Sequence, residues 1–388
     1  MPDHSARLST HLQIASEIET IPTEFGGALD VHLVNWKAMK FRLASGALAA
    51  LSLLGILATA HADAAKPSYR VAATYKLAGD GGWDYLTLDS PSHRLYIARG
   101  KTIQVMDTQT GALVGELPGL DGAHGVALDS NAHRAYASSG RNNQVIVFDT
   151  QTLKAVGAPI SVGDRPDAIL FEPITERVFA FNAGSNNVSI IDTETGKVVA
   201  TTPLGGNPEF AAADGMGHMW ANIEDRSQIV EINAADGKLM GTYPLAPGEE
   251  PTGLSYDAKD ALLFSGCANK TMVVIDAKTG KRIAALPIGE GVDATAYDAT
   301  RDLAFSSNGR DGTLSVIGTN DKGLNVLNTV PTHVGARTMA LDSSTGDIYV
   351  VGADYLPLGK PDFGSASRRP KMVPGSVIVL KLSPVSTP

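Results

Sequence analysis

The chain has 388 residues, of which 43% are hydrophobic and 19% charged, so a large core is possible and a wholly disordered chain is excluded. Its 32 basic and 41 acidic residues give a net charge of −9, which disfavours non-specific binding of nucleic acid. The single cysteine, Cys267, excludes an intramolecular disulfide and a cysteine-based metal cluster.

The first 62 residues are predicted to lie outside the folded domain. Residues 39–62 have the pattern of a secretory signal peptide: basic residues, then an uncharged stretch rich in Ala and Leu, then an Ala-x-Ala site. A membrane anchor is the alternative, but the apolar run is shorter than the roughly 20 residues that span a bilayer. Because a signal peptide normally starts a chain, residues 1–38 are interpreted as a mis-assigned or unstructured extension, with translation beginning at Met39. This pattern predicts a periplasmic or secreted protein.

From Tyr69 onward the chain repeats with a period of about 42 residues, which is typical of propeller blades. Each copy has a strand that ends at a marker acid, a turn, a second strand, and a Val/Ile-rich third strand that ends at an Asp-Thr-x-Thr-Gly type of turn. The marker positions hold Asp89, Asp129, Glu172, Asp214, Asp257, Asp298 and Asp342.

The last copy has no fourth strand of its own, whereas Tyr69–Leu77 forms a strand without a blade. Pairing the two would join the chain ends and remove the open sheet edges. The sequence therefore predicts an all-β fold over residues 69–383: a seven-bladed β-propeller of four-stranded antiparallel blades, closed by the N-terminal strand, which completes the last blade.

Three stretches carry a family resemblance: Gly163-Asp164-Arg165-Pro166, Asn182 to Gly196, and Pro251 to Gly280. They resemble the repeat of the YVTN-repeat (YncE-like) β-propeller family, with its Gly-x-x-Pro, Asn and Val-x-Val-Ile-Asp-Thr positions. The resemblance implies the propeller fold and leaves the function open, because the motif residues are structural. WD repeats are not expected, since their Gly-His and Trp-Asp pairs do not recur.

A candidate ligand-binding ring lies five residues before each marker acid. Equivalent positions of a propeller surround the central channel, so these side chains are expected at the channel mouth. Glu209 and Asp293 are candidate ligands of one divalent metal ion. The alternative is a polar rim that is only solvated. The ring consists of Asp84, His124, Asp167, Glu209, Thr252, Asp293 and Arg337.

Basic residues are expected in loops on the same face, and most of them belong to turns between the second and third strands. The last copy replaces this turn by a long loop, residues 354–374, which is interpreted either as a lid or partner-docking arm or as a passive insertion. Cys267 falls in the same loop class and is expected to be a small, semi-buried residue and not a nucleophile. The basic residues are Arg99, Arg141, Arg226, Arg310, Arg368, Arg369 and Lys371.

The chain has no Gly-rich phosphate loop, no Gly-x-Ser-x-Gly elbow and no His-Glu-x-x-His motif. The sequence therefore favours a monomeric, non-catalytic binding or scaffolding module whose partner is a protein or a small molecule. The first alternative is a metal-dependent lactonase or hydrolase-like enzyme with a divalent cation in the channel. The second is a quinoprotein-like redox propeller, although no pattern of quinone-stacking tryptophans is present.

Overall fold

The computed structural model describes residues 68–79, 81–320, 323–357 and 371–385. The predicted N-terminal extension (1–38) and signal peptide (39–62) lie outside these residues. In the described ranges the regular structure consists of strands and two short 3-10 turns, Gly140–Asn142 and Glu224–Arg226. Among these residues no helix is long and apolar enough to cross a membrane.

The strands are short and rich in β-branched and aromatic residues, and tight turns connect most of them. In chain order they are β1 Tyr69–Lys76, β2 Leu86–Asp89, β3 Arg94–Asp107, β4 Leu113–Asp129, β5 Arg134–Ser139, β6 Gln144–Asp149, β7 Ile160–Ser161, β8 Pro166–Glu172, β9 Arg177–Asn182, β10 Asn187–Asp192, β11 Lys197–Pro203, β12 Pro208–Ala213, β13 His218–Ile223, β14 Gln228–Asn233, β15 Leu239–Pro244, β16 Pro251–Asp257, β17 Leu262–Cys267, β18 Thr271–Asp276, β19 Arg282–Pro287, β20 Val292–Asp298, β21 Leu303–Asn308, β22 Thr313–Gly318, β23 Asn325–Pro331, β24 Arg337–Asp342, β25 Asp347–Gly352 and β26 Ile378–Pro384.

The prediction of seven blades is wrong: the described strands form six antiparallel sheets, so the β-propeller has six blades. Five sheets have four strands, and the sixth has the order β2-β3-β4-β5-β6-β7. The difference arises because β3 and β4 run without a break through parts of the chain where the repeat pattern suggested two strands each. Gly100 pairs with Ala123 across them, so hydrogen bonds join the first two sequence repeats into one sheet.

The two ends of the described chain meet in one sheet, whose order is β1-β26-β25-β24. Tyr69 pairs with Pro384 and Lys76 with Ile378. Tyr69 is only 4% exposed, and its ring packs edge-on against Phe305 with the centroids 5.2 Å apart. The N-terminal strand is therefore fixed both by the β-ladder and by the core of the neighbouring sheet.

The marker acids of the sequence repeats organise the turns between first and second strands. The carboxylate of Asp298 accepts hydrogen bonds from the backbone N–H groups of Thr300 (2.9 Å) and Arg301 (3.2 Å) and an ion pair from the Arg301 guanidinium (2.8 Å). Glu172 accepts bonds from Ile174 and Thr175 in the same way. A buried acid at this position is stable because nearby donors satisfy its oxygens.

Seven strands line the centre of the propeller, and they surround a cavity of about 390 Å³. The six-stranded sheet contributes two of them, β2 and β4. The others are β8, β12, β16, β20 and β24. Six of these strands begin at the same end of the channel, and β4 enters the channel there near Ala123, so the residues at these points share one rim. Cys267, at the end of β17, is fully buried, and burial raises the pKa of its thiol to about 11.

Candidate functional site

The mouth of the channel brings together most of the predicted ring, but not as a uniform circle. His124 lies in β4, Asp167 in β8, Glu209 in β12 and Asp293 in β20, and Asp84 lies two residues before β2. The structure divides these residues into two groups that make direct contacts. One group is Asp84, His124 and Asp167, and the other is Asp293 with Arg337.

The first group is centred on one imidazole nitrogen. Nδ1 of His124 lies 2.5 Å from Oδ2 of Asp84 and 3.4 Å from Oδ1 of Asp167. The three side chains are 31%, 30% and 19% exposed, in the order His124, Asp84, Asp167, so solvent or a ligand can reach them. They form one wall of a cavity of about 540 Å³ that is also lined by Trp83 and Arg165.

Backbone contacts between neighbouring strands fix this group. The N–H of Tyr85 donates to the carbonyl of His124 (3.0 Å). The Ser138 hydroxyl accepts from the N–H of Gly125 (2.8 Å) and donates to the carbonyl of Asp167 (2.7 Å), so it ties β4 to β8 next to the site. A Cβ atom on Gly140 would lie only 2.7 Å from Nε2 of His124. The small residue therefore allows the ring to lie against the backbone with Nδ1 towards the carboxylates.

The second group is a weak ion pair between Arg337 and Asp293, and the guanidinium also lies over an aromatic ring. Nε of Arg337 lies 3.7 Å from Oδ2 of Asp293, and the guanidinium carbon lies 5.5 Å from the centroid of the Trp83 ring. The indole N–H of Trp83 donates to the Arg337 carbonyl at 3.4 Å. Arg337, Asp293 and Tyr355 line a second cavity of about 530 Å³.

Thr252 belongs to neither group, and its side chain makes a contact that stabilises the fold. Its hydroxyl donates to the carbonyl of Val292 in the next sheet at 3.1 Å. Glu209 belongs to neither contact group, although the charges of Asp167 and Asp293 act on it. The structure therefore places the compact set of possible metal ligands at Asp84, His124 and Asp167, whereas the sequence had pointed to Glu209 and Asp293.

Burial and mutual repulsion dominate the electrostatics of the mouth. Burial raises the pKa of Asp167 to about 7, with His124 opposing and Asp84 adding to the shift. Burial and then the charge of Asp167 raise the pKa of Glu209 to about 9. Burial raises the pKa of Asp293 to about 6, although Arg337 opposes it. Glu209 therefore stays protonated at neutral pH and Asp167 is partly protonated, whereas in water both would be ionised.

The pKa of His124 is also raised, but by its neighbours and not by burial. Burial disfavours its charged form, but the hydrogen bond with Asp84 and the charge of Asp167 outweigh that effect and raise the pKa of the imidazole. A protonated ring between two carboxylates partly neutralises them. Positive charge at this point of the mouth is therefore favoured.

Sequence reasoning missed Tyr85, which follows Asp84 and lines the channel below the mouth. Its ring packs against Phe210 at a centroid distance of 4.2 Å, and its hydroxyl oxygen is buried without a hydrogen-bond partner among the described residues. Burial, followed by the charges of Asp167 and Glu209, raises its pKa well above the usual value. The only sequence feature that could have indicated Tyr85 was its position next to Asp84, a member of the predicted ligand-binding ring.

The described basic loop residues are engaged by local partners. Arg99 is buried and donates to the carbonyl of Gly79 (2.9 Å), and Arg141 pairs with Asp121 (3.1 Å). Arg226 pairs with Asp225 (3.5 Å) and Arg310 with Glu290 (3.3 Å). Lys371 is exposed, at the described end of the long loop. Arg368 and Arg369 lie outside the described residues, as does most of the loop predicted over 354–374.

The chain is similar in fold to two solved structures, one of which is a structure of WD40 repeats. The structure of U3-55K matches with a TM-score of 0.65 and 11% sequence identity over 81% of this chain and 99% of that chain. The crystal structure of the RRP9 WD40 repeats matches with a TM-score of 0.66 and 12% identity over 82% of this chain and 100% of that chain. No protein-family model and no curated protein sequence matches the chain. Identity this low shows the fold alone: an all-β propeller with WD40-like structural neighbours.

Proposed function

We propose that this protein is a non-catalytic binding propeller that takes a positively charged group of its ligand into the channel mouth. The observation that supports this most is the crowding of Asp167, Glu209 and Asp293, whose pKa values are raised to about 7, about 9 and about 6. Each shift reflects a carboxylate whose charge is unfavourable because it is buried next to other acids. A ligand cation at this position would replace the protons and relieve the repulsion.

A rim that is only solvated accounts less well for the shape of the mouth. Two cavities of about 540 and 530 Å³ open beside the acids, and each has an aromatic residue in its wall, Trp83 in one and Tyr355 in the other. Concave sites with a few converging polar groups and aromatic walls are typical of ligand binding. A small organic cation and a Lys or Arg side chain of a protein partner present the same chemistry to such a site.

The test is calorimetric titration with L-argininamide at low salt and pH 7.5. We expect binding at one site with release of protons, detected as a dependence of the binding heat on the ionisation enthalpy of the buffer. The double variant Asp167→Asn/Glu209→Gln removes two titrating carboxyls and should weaken binding at least about tenfold, equivalent to about 1.4 kcal/mol.

The matched control is Asp192→Asn/Glu194→Gln, which removes the same two kinds of carboxyl from a turn at the far end of β10. It should bind like the wild type. Absence of binding by the wild type, or an equal loss in both double variants, would refute the proposal.

We also propose that the propeller acts as a monomer outside the cytoplasm, in the periplasm or as a secreted protein. The support is the signal-like pattern of residues 39–62. N-terminal sequencing of the protein isolated from its own cells should give a start immediately after Ala62 or Ala64. A start before Met39 would refute both the signal-peptide interpretation and the proposed translation start.

A further inference from the structure

We propose that Asp84, His124 and Asp167 form a three-ligand site for a divalent transition-metal ion of the zinc type. The inference deepens the proposed function and rests on it, in that the same mouth receives the cation. The inference goes beyond the proposed function in two ways. It names the class of ion, and it assigns the ion to one part of the rim, away from Glu209 and Asp293.

The donor atoms already have the spacing of a ligand set. One nitrogen and two carboxylate oxygens lie within 4.8 Å of one another, and both oxygens face Nδ1 of His124. Metal–ligand bonds of about 2.0–2.2 Å place neighbouring ligand atoms about 3–4 Å apart. The distance of 3.4 Å to Asp167 already fits this spacing, and the 2.5 Å contact to Asp84 needs to open by about 1 Å.

The backbone behind these side chains is held in place, so binding requires only rotation of side chains. Tyr85 is hydrogen-bonded to the carbonyl of His124, and Ser138 bridges the strands of His124 and Asp167. Gly140 leaves room for Nε2 of His124, and the other ring nitrogen faces the carboxylates. A site whose backbone is already held by hydrogen bonds loses little conformational entropy when a ligand binds.

The charges of the rim are unequally compensated. Asp293 has the guanidinium of Arg337 at 3.7 Å. Within 4.0 Å, the described residues give Asp84 and Asp167 one shared ion-pair partner, the imidazole of His124, and the charge of Arg165 also acts on Asp167. One imidazole therefore serves two carboxylates, and a divalent ion matches their combined charge when the imidazole is neutral.

A second feature lies in the channel below this group. The hydroxyl oxygen of Tyr85, which lines the channel cavity, is buried without a hydrogen-bond partner among the described residues. A buried hydroxyl normally has such a partner, and a water or ligand atom in the channel would provide one. This observation is independent of the three ligands themselves.

The ligand types select the class of metal. Imidazole combined with carboxylates suits Zn²⁺ and other divalent first-row ions and gives no preference to soft ions such as Cu⁺, which favour sulfur. Three protein ligands leave at least one coordination position open to the cavity, which is the arrangement of sites that bind an exogenous ligand.

The experiment is titration of the chelator-treated full chain with Zn²⁺, followed by calorimetry, and with Co²⁺, followed by visible absorption. One ion per chain is expected. His124→Ala and Asp167→Asn should each weaken Zn²⁺ binding at least about 100-fold and abolish the Co²⁺ absorption band. Asp167→Asn retains the size of the side chain, so its effect cannot be attributed to misfolding if the melting temperature stays close to that of the wild type.

His218→Ala is the matched control. Nδ1 of His218 lies 3.7 Å from both Asp214 and Glu231 at the far end of the sheet, so it also lies between two carboxylates, but outside the channel mouth. This variant should bind one Zn²⁺ with wild-type affinity. No uptake by the wild type, or uptake unaffected by His124→Ala, would overturn the metal site. If argininamide still binds in that case, only the metal inference fails, and if neither probe binds, the proposed function fails as well.

Discussion

Replacement of Glu209 by glutamine should make the stability of the propeller less dependent on pH. Burial and the neighbouring acids raise the pKa of Glu209 from 4.5 to about 9, so the folded protein keeps this group neutral at pH 7. In the unfolded chain the same group ionises above about pH 4.5. Stability contributed by Glu209 is therefore complete below pH 4.5 and is lost progressively as the pH rises towards 9.

The shift sets an upper limit on the effect. Between pH 4.5 and pH 7 a group that ionises only in the unfolded chain lowers the free energy of unfolding by up to about 3 kcal/mol. Glu209 is partly accessible, so we expect about 1–3 kcal/mol. The variant Glu209→Gln is neutral in both states and should equal the wild type near pH 4.5 and exceed its stability by this amount at pH 7. Because Glu209 is already uncharged in the folded protein, the substitution leaves the field at Asp167 unchanged.

The assay is urea unfolding of both proteins at pH 4.5, 6, 7 and 8 in the presence of EDTA. The difference in unfolding free energy should grow with pH for Glu209→Gln. It should stay flat for Glu194→Gln, an exposed residue in the turn after β10. A difference that does not change with pH at position 209 would refute the assignment of a neutral, buried carboxyl to the channel mouth.

Two further substitutions and one chemical modification test the fold. Asp298→Ala should lower the free energy of unfolding by about 2–4 kcal/mol, because Arg301 loses its buried carboxylate and two backbone N–H groups lose their acceptor. Tyr69→Ala should cost about 3 kcal/mol, because the ring is buried against Phe305 where the chain ends meet. Cys267 should react with iodoacetamide only after unfolding, because burial raises the pKa of its thiol to about 11.

Urea denaturation measures the first two effects, and mass spectrometry measures the third. Asp260→Ala and Val71→Ala are the controls, both at exposed positions, and each should change stability by less than about 0.5 kcal/mol. Losses as large in the controls as at Asp298 and Tyr69 would contradict the roles given to those residues. Rapid alkylation of the native protein would contradict the burial of Cys267.

Local sequence patterns were sufficient to predict the class of the fold. Alternation of short β-branched strands with Asp, Gly and Asn turns is a local property, because it reflects which residues fit a pleated strand and which accept a tight turn. The marker acids could also be predicted from the sequence. An acid such as Asp298 accepts hydrogen bonds from residues two and three positions later, so its role in the turn depends only on its sequence neighbours. Repeat position was enough to select the residues at the channel mouth.

The number of blades and the chemistry of the channel mouth depend on contacts between residues that are far apart in the sequence. Seven repeats form six sheets because hydrogen bonds between β3 and β4 cross from one repeat to the next, and repeat counting does not detect pairing between copies. The shared repeat position of the ring residues likewise did not predict which of them touch. His124 contacts Asp84 and Asp167, whereas Arg337 contacts Trp83 and Asp293. Protonation of Glu209 depends on burial and on charges brought close by the closed ring, and both exist only once the chain has folded.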